Sequence, residues 1–365
     1  MKRFLGGGGW PYLLVPFIPI AIVLDLAHAG AAVIFTTSAL GVVPTAAMMG
    51  RATEELAARA GPGIGGLLNV TFGNAPEIII ALFALNEGLQ EVVKAWLVGS
   101  ILGNTLLVLG AAMFVGGLGR VRQHFDRTAA TAQSAMLLLA ATAMAMPAIF
   151  EMVEGRGLPD PGAEIVNYGS KVEGLSFAVA IVLLLTYGAA LLFSLRTHRD
   201  LFNPPSAKEH EAPWSIRRSV LLLAGAGVAV GVMSEILVGS ISETAESVGL
   251  SEFFIGVIVI AIVGNAAEHW VAVLVARKDK MDLAVNIAIG SAAQIALFAA
   301  PILVLVSWVL GPFPMPLVFN GFELGAIFFA VLISLHVTNE GESTWFEGFQ
   351  LLAVYAVLAI AFFVA

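Results

Sequence analysis

Cysteine is absent from the 365 residues of the sequence, which excludes disulfides and thiolate metal sites. Charge is scarce as well, because Asp, Glu, Lys and Arg make up 12% of the chain, against about 25% in soluble globular proteins. The net charge is −8, and the basic residues are spread over separate loops without forming one basic face. We therefore predict no nucleic-acid partner.

Long apolar runs take the place of charge, and 59% of the residues are hydrophobic. Runs of roughly 17 residues or more are typical of transmembrane helices. We predict an all-α integral membrane protein with eleven transmembrane helices, surrounded by membrane lipids. The predicted spans are 11–27, 30–50, 63–86, 92–118, 128–150, 174–195, 217–240, 252–276, 282–310, 320–337 and 346–364.

The distribution of Lys and Arg predicts the orientation of these spans. If the N-terminus lies inside, the alternation of loops places 15 of the 18 basic residues inside and 3 outside. The inside set is Lys2, Arg3, Arg51, Arg59, Arg120, Arg122, Arg127, Arg196, Arg199, Lys208, Arg217, Arg218, Arg277, Lys278 and Lys280; the outside set is Lys94, Arg156 and Lys171. The positive-inside rule then predicts a cytoplasmic N-terminus and an external C-terminus.

The first span has an alternative interpretation. Lys2, Arg3, the apolar run and the "AHA" at Ala27–Ala29 resemble a cleaved signal peptide. We favour a retained helix because Met1 is present. Cleavage would leave the orientation of the other ten spans unchanged.

The sequence contains an internal repeat. "VTFGNAPEIIIA" (70–81) matches "AIVGNAAEHWVA" (261–272) at a shift of 191 residues. Without a gap, that shift aligns Gly73, Asn74 and Glu77 with Gly264, Asn265 and Glu268. The same shift aligns Gly99–Ser100 with Gly290–Ser291. It also aligns Thr53 and Glu55 with Thr244 and Glu246, and Gly65 with Gly256. A single register over this length indicates duplication.

The second copy is predicted to be inverted, because each repeat has five spans, an odd number. The loop after the first motif is mostly acidic and outside, whereas the loop after the second is basic and inside. We predict an N-terminal helix (1–28), a first five-helix repeat (29–196), a cytoplasmic linker (197–215) and a second five-helix repeat (216–365). Inverted repeats with interrupted helices indicate a secondary transporter with its site near the midplane.

Glu77 and Glu268 each lie near the middle of a predicted span. One carboxylate there costs about 2.5–3.5 kcal/mol on insertion scales. Two that face each other across the pseudo-two-fold axis cannot both stay ionised cheaply, so their proton affinity rises. Because a divalent cation can replace the protons, this pair is predicted to bind either Ca²⁺ or H⁺, which is the basis of antiport.

The neighbouring residues suit a hard cation, since Ca²⁺ takes roughly six to eight oxygen ligands. A bend at Gly73, Asn74 and Pro76 would free main-chain carbonyls beside a cavity, and Gly264 with Asn265 would do the same in the second copy. The predicted metal site is Glu77, Glu268, Asn74, Asn265, Gly73 and Gly264, with Ser100, Ser291 and Gln294 as inner or outer contacts.

Other polar positions allow two interpretations each. Glu55 and Glu246 either line the entrances or are ordinary helix-end charges. Glu235 either carries protons or faces the membrane interface. His269, next to Glu268, either tunes the site or is a packing histidine. We predict no catalytic residue.

Two further acidic features are predicted to be structural. Asn320 and Glu323 have the spacing of a capping box. The acids of the 151–173 region form a solvated face or raise the local cation concentration. They are Glu151, Glu154, Asp160, Glu164 and Glu173.

The chain resembles the cation/proton exchangers, calcium/proton antiporters of the calcium–cation antiporter superfamily. The segments that carry the resemblance are "GRATEELAARAGPGIGGLLNVTFGNAPEIIIAL", "GSILGNTLLVLG", "FFIGVIVIAIVGNAAEHWVAV", "IGSAAQIALFAAPILVLVSW" and "NEGESTWFEG". The resemblance implies that Glu77 and Glu268 are the central ion- and proton-binding carboxylates. It implies that Asn74, Asn265, His269, Ser291 and Gln294 are polar groups nearby. One departure is Gly103, where the family often has serine.

We therefore predict export of cytosolic Ca²⁺ in exchange for external H⁺, without a cofactor and without enzymatic activity, in a prokaryotic inner membrane. The closest alternative is a sodium/calcium exchanger of the same superfamily, although the positions that flank Glu77 and Glu268 are mostly apolar. A passive cation channel would need weak, multiple sites along an open path. An intramembrane metal hydrolase would need partners beyond His269. The sequence does not indicate the oligomeric state.

Overall fold

The computed structural model describes residues 9–162, 168–197 and 214–365, which are mostly helical. Several predicted features lie outside the described residues. They are Lys2, Arg3, Glu164, Arg199, Lys208 and most of the linker 197–215.

We number the helices in chain order. They are α1 (Phe17–Leu26), α2 (Ala31–Gly73), α3 (Ala75–Asn86), α4 (Gln90–Gly117), α5 (Arg127–Val153), α6 (Ser170–Thr197), α7 (Ile216–Gly239), α8 (Ile241–Val248), α9 (Glu252–Arg277), α10 (Met281–Val306), α11 (Gly321–Thr338) and α12 (Trp345–Val364). A 3₁₀ turn, Trp10–Leu14, precedes α1. Two short strands, β1 (Gln123–His124) and β2 (Glu342–Ser343), form an antiparallel pair.

Nine helices in the described parts of the chain are long and apolar enough to cross a membrane. They are Ala31–Ala60 within α2, together with α4, α5, α6, α7, α9, α10, α11 and α12. Two of the predicted spans, 11–27 and 63–86, correspond instead to the shorter apolar helices Trp10–Leu26 and Ala75–Asn86. The count of eleven spans therefore stays a prediction.

The predicted loop at 51–62 is wrong, because α2 runs without interruption from Ala31 to Gly73. A straight helix of this length would measure about 64 Å, twice the hydrocarbon thickness of a bilayer. The axis bends instead: a Cβ on Gly65 would overlap the carbonyl oxygen of Ala57, eight residues earlier. Helix-forming residues such as Glu54, Glu55 and Leu56 favour a helical bend here over a loop.

Long helices carry π-helical turns beside the predicted motifs. In α4 the turn is Gly103–Val108, and in α10 it is Ile295–Ala299. Both turns directly follow the Gly-Ser pairs at 99–100 and 290–291, within one residue of equivalent positions. A third turn, Ile255–Ile260, precedes Gly264 in α9. Such turns are frequent at functional sites.

One group of loops meets on the face that we call the basic face, formed by 118–126, 278–280 and 339–344. Gln123 of β1 pairs with Ser343 of β2. The N–H of Asp126 donates to Oδ1 of Asp282 at 2.5 Å. Nη2 of Arg120 donates to the carbonyl of Arg277 at 3.2 Å, so a cation covers the negative C-terminal end of α9.

A second group of loops, 87–89, 154–162 with 168–169, and 307–320, meets on what we call the opposite face. The Gln90 side chain donates to the carbonyl of Phe313 at 2.5 Å. Nη1 of Arg156 donates to the carbonyl of Tyr168 at 3.0 Å. The predicted alternation places all loops of the basic face on one side of the membrane and all loops of the opposite face on the other side.

A buried cation lies beneath the opposite face. Lys94 is 1% exposed, its Nζ donates to the carbonyl of Val318 at 2.8 Å, and Glu91 Oε1 is 2.6 Å away. Glu323 is also buried and interacts electrostatically with Lys94. Glu323 forms the predicted capping box with Asn320, which is therefore confirmed.

The predicted solvated face is wrong at Glu151, which is buried. Arg156, 3.6 Å from Glu151 Oε1, and the segment that holds Tyr168 cover this carboxylate. Burial, together with the charges of Glu91, Glu151 and Glu323, raises the pKa of the Tyr168 hydroxyl. The side chains under the opposite face therefore form one electrostatic network.

We expect Lys94→Met to lower the stability of the folded protein by about 3–5 kcal/mol, because it leaves buried carboxylates without their cation. The measurement is the midpoint of thermal unfolding of the purified protein in detergent. Lys171→Met, at an exposed position of α6, is the matched control and should change stability by less than about 0.5 kcal/mol. Equal midpoints for the two variants would contradict a stabilising role for Lys94.

Candidate cation-binding site

Glu77 lies at a break between two helices. Helix α2 ends at Gly73, α3 begins at Ala75, and Asn74 between them has φ −94° and ψ 14°. Pro76 has no N–H to continue the hydrogen bonds of α2, so the break follows from the sequence. Glu77 then occupies the first turn of α3, where the helix dipole favours negative charge. Its side chain is buried, and Oε2 has no hydrogen-bond partner among the described residues.

Glu268 lies on an unbroken helix. The predicted interruption at Gly264 and Asn265 is wrong, because both residues are inside α9. The physical reason is that Ala267 occupies the position equivalent to Pro76 and keeps its N–H. The Glu268 side chain is half-buried, and its Oε2 accepts a hydrogen bond from Ser291 Oγ at 3.3 Å.

The two carboxylates come from different halves of the chain and meet in the interior. A Cβ on Gly264, one turn before Glu268, would lie 3.6 Å from Cγ of Glu77. Glu77 and Glu268 are also close enough for their charges to interact. Gly264 therefore leaves the space in which the Glu77 side chain lies.

Each motif asparagine donates a hydrogen bond to a helix of the other half. Asn74 Nδ2 donates to Oε1 of Gln294 at 3.0 Å. Asn265 Nδ2 donates to Oγ of Ser100 at 3.4 Å. Because each amide nitrogen is used in this way, the amide oxygen is the atom left to face a cation. The Oδ1 atom of Asn265 has no hydrogen-bond partner within the described part of the chain.

Asn74 and Asn265 have different kinds of hydrogen-bond partner, and Gly103 is the reason. It is the position equivalent to Gln294, but it carries no side chain that Asn265 could reach. His269 fills the space instead, since a Cβ on Gly103 would lie 3.9 Å from Cε1 of the imidazole. His269 is half-buried, and its Nε2 has no hydrogen-bond partner in the regions described.

The predicted accessory acids lie apart from the pair. Glu55 Oε2 accepts the main-chain N–H of Trp214 at 2.9 Å, which ties α2 to the start of α7. Glu246 is exposed on the short helix α8, and Glu235 is exposed on α7. No contact with Glu77 or Glu268 in the described residues brings these three acids into the site.

Two polar residues near the site escaped the sequence analysis. Asn104 is fully buried one turn after Ser100, donates to the carbonyl of Ser100 at 3.0 Å, and has an unpartnered Oδ1 in the described residues. Glu54 is close enough to Glu268 for their charges to interact. In the second copy, Ile295 aligns with Asn104 and Ala245 aligns with Glu54. Because neither aligned residue is polar, comparison of the two copies did not point to Asn104 or Glu54.

The arrangement suits a hard cation. Within the described ranges, no group of three or more His, Cys, Asp or Glu side chains is placed to hold a metal ion. A cation between Glu77 and Glu268 therefore depends on amide and main-chain oxygens in addition to the two carboxylates. Such mixed oxygen coordination is typical of Ca²⁺.

The two sides of the site differ in how tightly the helices pack. Towards the opposite face, a Cβ on Gly99 would overlap the carbonyl oxygen of Val257, and Val92 is 2% exposed. Towards the basic face, Leu283, which is equivalent to Val92, is 44% exposed. The equivalent glycine, Gly290, meets only side-chain atoms, the nearest at 3.3 Å.

A family model described as sodium/calcium exchanger protein matches residues 30–196 and again residues 218–364. The chain belongs to the sodium/calcium exchanger family. The two matched stretches each contain one copy of the Glu motif.

Individual relatives show which exchangers within this family the chain resembles. The Ca(2+)/H(+) antiporter ChaA of Bacillus subtilis is 46% identical over 356 residues, covering 96% of this chain and 97% of that protein. The Ca(2+)/H(+) antiporter of Synechocystis sp. is 44% identical over 371 residues, covering 96% of each. The solved structure of native YfkE has a TM-score of 0.81 and 42% identity, covering 97% of this chain and all of that chain. The resemblance to calcium/proton antiporters is thereby confirmed, and the chain is a multi-pass membrane protein.

We expect Gly99→Ala to destabilise the protein by about 1–3 kcal/mol, because the new methyl group overlaps the main chain of α9 and cannot be accommodated by rotating a side chain. The equivalent variant Gly290→Ala displaces only the end of the Asn286 side chain and should be nearly neutral. Thermal unfolding of both variants in detergent measures the difference. Similar midpoints would show that the Gly99 contact does not hold the two helices together.

We expect an impermeant thiol reagent to modify Leu283→Cys and to leave the equivalent Val92→Cys unmodified, because Leu283 is exposed and Val92 is buried. The sequence has no native cysteine, so the introduced thiol is the one that reacts. The measurement is labelling from each side of oriented membrane vesicles. Leu283→Cys should react only from the side of the basic face. Modification of both variants from opposite sides at equal rates would contradict a site that is open on one side.

Proposed function

We propose that this protein exchanges Ca²⁺ for H⁺ across the membrane by alternating access. The observation that carries this proposal is the meeting of Glu77 and Glu268, supplied by matched motifs from two halves of the chain, in the protein interior. Relatives that are named Ca(2+)/H(+) antiporters support the choice of ions.

The chemistry of the pair explains why the two ions are exchanged. With both carboxylates ionised and nothing bound, the site carries two like charges in a low dielectric, which is the least favourable state. Either Ca²⁺ or protons neutralise it. A carrier that changes conformation only when the pair is neutralised carries Ca²⁺ in one direction and protons in the other, and it does not return empty.

The proposed ligands are the carboxylates of Glu77 and Glu268 and the amide oxygens of Asn74 and Asn265. Main-chain carbonyls near Gly73, at the break between α2 and α3, complete the oxygen set. Further polar groups hold these ligands in place. They are Ser100, Ser291, Gln294 and His269. The hydrogen bonds from Asn74 to Gln294 and from Asn265 to Ser100 support this assignment, because they orient both amides.

The proposed architecture is an N-terminal helix (1–28) and two inverted five-helix repeats (29–196 and 216–365) joined by a cytoplasmic linker (197–215), with eleven spans in total. Three observations support it. The family model matches twice, the π-helical turns of α4 and α10 lie at equivalent positions, and loop contacts follow the predicted alternation.

We assign the basic face to the cytoplasm because the positive-inside rule favours it, and the bacterial relatives support a prokaryotic inner membrane. The N-terminus is then cytoplasmic and the C-terminus external. The exposure of Leu283 supports a conformation that is open to the cytoplasm. Ca²⁺ binds from that side, and protons arrive from the other side after the conformation changes.

The test is Ca²⁺ uptake into proteoliposomes under an imposed pH gradient without sodium, for the wild type and Glu77→Gln. We expect gradient-dependent uptake by the wild type and background uptake by Glu77→Gln, which keeps the shape of the side chain but loses the charge. Glu243→Gln, at an exposed acid of α8, is the matched control and should transport like the wild type.

Other outcomes would point elsewhere. Uptake only when a sodium gradient replaces the pH gradient would make the protein a sodium/calcium exchanger. Uptake indifferent to both gradients would make it a passive channel. Wild-type uptake by Glu77→Gln would remove the carboxylate pair from the mechanism.

A further inference from the structure

Helices α4 and α10 occupy equivalent places in the predicted repeats, yet the surfaces that lead away from the site differ. In α10, Asn286 is exposed on the side that is open to the basic face. Its equivalent in α4 is Ala95, which is fully buried in the closed side. The route to the basic face therefore has a polar group at a position where the route to the opposite face has a methyl group.

A second amide holds Asn286 in place. Gln133 of α5, which is 8% exposed, donates through Nε2 to Oδ1 of Asn286 at 2.6 Å. The missing side chain of Gly290 leaves room for this contact, since a Cβ there would lie 3.3 Å from the same oxygen. An amide oxygen has two lone pairs, and the bond from Gln133 uses one of them.

Asn286 lies between the basic face and the carboxylate pair. Asp282, one turn before it, is exposed at the start of α10 and contacts Asp126. Ser291, which donates to Glu268, follows Asn286 by five residues, a rise of about 7.5 Å along the helix. Polar oxygens therefore recur along α10 from the face to the site.

The simpler explanation is that Gln133 and Asn286 only join two helices, as polar pairs do in membranes. Burial argues against this explanation as the whole role of the pair. Gln133 is buried and Asn286 is exposed, so the pair presents an accessible amide on α10 in addition to joining the two helices. The exposed partner is the one on the wall of the open side.

We propose that Asn286, held by Gln133, is a waypoint for a partly hydrated divalent cation on its way between the basic face and the Glu77–Glu268 pair. This inference rests on the proposed function. The loop at this end of α10 carries Arg277, Lys278 and Lys280, which repel a cation. Asp282 and the uncharged oxygen of Asn286 offset that repulsion without binding the ion so firmly that it stops there.

Transport kinetics give the first test. Asn286→Ala, which installs the residue found at position 95, should raise the KM for Ca²⁺ on the basic-face side roughly fivefold, the effect of losing one hydrogen-bond-strength contact. The maximal rate should change little. Asn286→Asp restores an oxygen ligand and should return KM to the wild-type value or below it. An unchanged KM in Asn286→Ala, or a loss of thermal stability without a change in KM, would overturn the inference.

Thiol chemistry gives a test that does not depend on transport. Asn286→Cys should react faster with a cationic than with an anionic thiosulfonate reagent, relative to Val121→Cys, an exposed position in a loop of the same face. Ca²⁺ should slow the cationic reaction at position 286. Ala95→Cys should not react. Equal preference for the two reagents at positions 286 and 121 would overturn the proposal.

The two levels of inference fail differently. A wild type without gradient-driven uptake would overturn the proposed exchange, while the labelling pattern would still report whether a cation-selecting path passes Asn286. A transporting wild type whose Asn286 variants behave like their controls would overturn only the waypoint.

Discussion

A carboxylate in apolar surroundings must be neutralised, and the structure around Glu77 is arranged to meet that requirement. The side chain is buried with one oxygen unpartnered in the described residues, and its neighbour is a second acid, Glu268. Among the residues that the structure describes, no Lys or Arg forms an ion pair with either acid, whereas the acids under the opposite face have Lys94 as a counter-ion. A fixed cation would make the pair stable and inert; without one, the pair depends on a mobile cation or on protons.

The rest of the site follows from that dependence. The break at Asn74 places Glu77 in the first turn of α3, and Gly264 leaves space for its side chain. The hydrogen bonds of Asn74 and Asn265 connect each motif to the other half of the chain, at Gln294 of α10 and Ser100 of α4. Polar contacts of this kind hold helices together where lipid offers no hydrophobic driving force.

The proximity of Glu77 and Glu268 could be predicted from the sequence because the pattern is local and occurs twice: a charge, an amide and a glycine at the same spacing in two apolar runs. It predicted less well wherever tertiary context overrode a pattern. The loop expected at 51–62 is helical because its residues favour a helix and Gly65 permits a close bend. The break expected at Gly264 is missing because only the first copy has proline. Glu151 was placed in solvent because nothing local reveals that Arg156 and Tyr168 cover it.

Comparison of the two copies finds only residues that occur in both. It overlooks polar residues that occur once, such as Glu54, Asn104 and Asn286. The two motif copies differ at these positions, since the residues aligned with them are Ala245, Ile295 and Ala95. Alignment of the copies therefore predicts repeated residues, and residues that occur once have to be seen in the structure.

The seal towards the opposite face has a physical consequence of its own. It consists of glycines and main-chain atoms in van der Waals contact, Gly99 against Val257 and Gly256 against Val92, with no charged group among these contacts. These contacts have no charge of their own that responds to pH or to the membrane voltage; the nearest ion pair is that of Lys94 and Glu91, on the same turn of α4. Opening the seal means separating close-packed main chains, which the rotation of side chains alone cannot do.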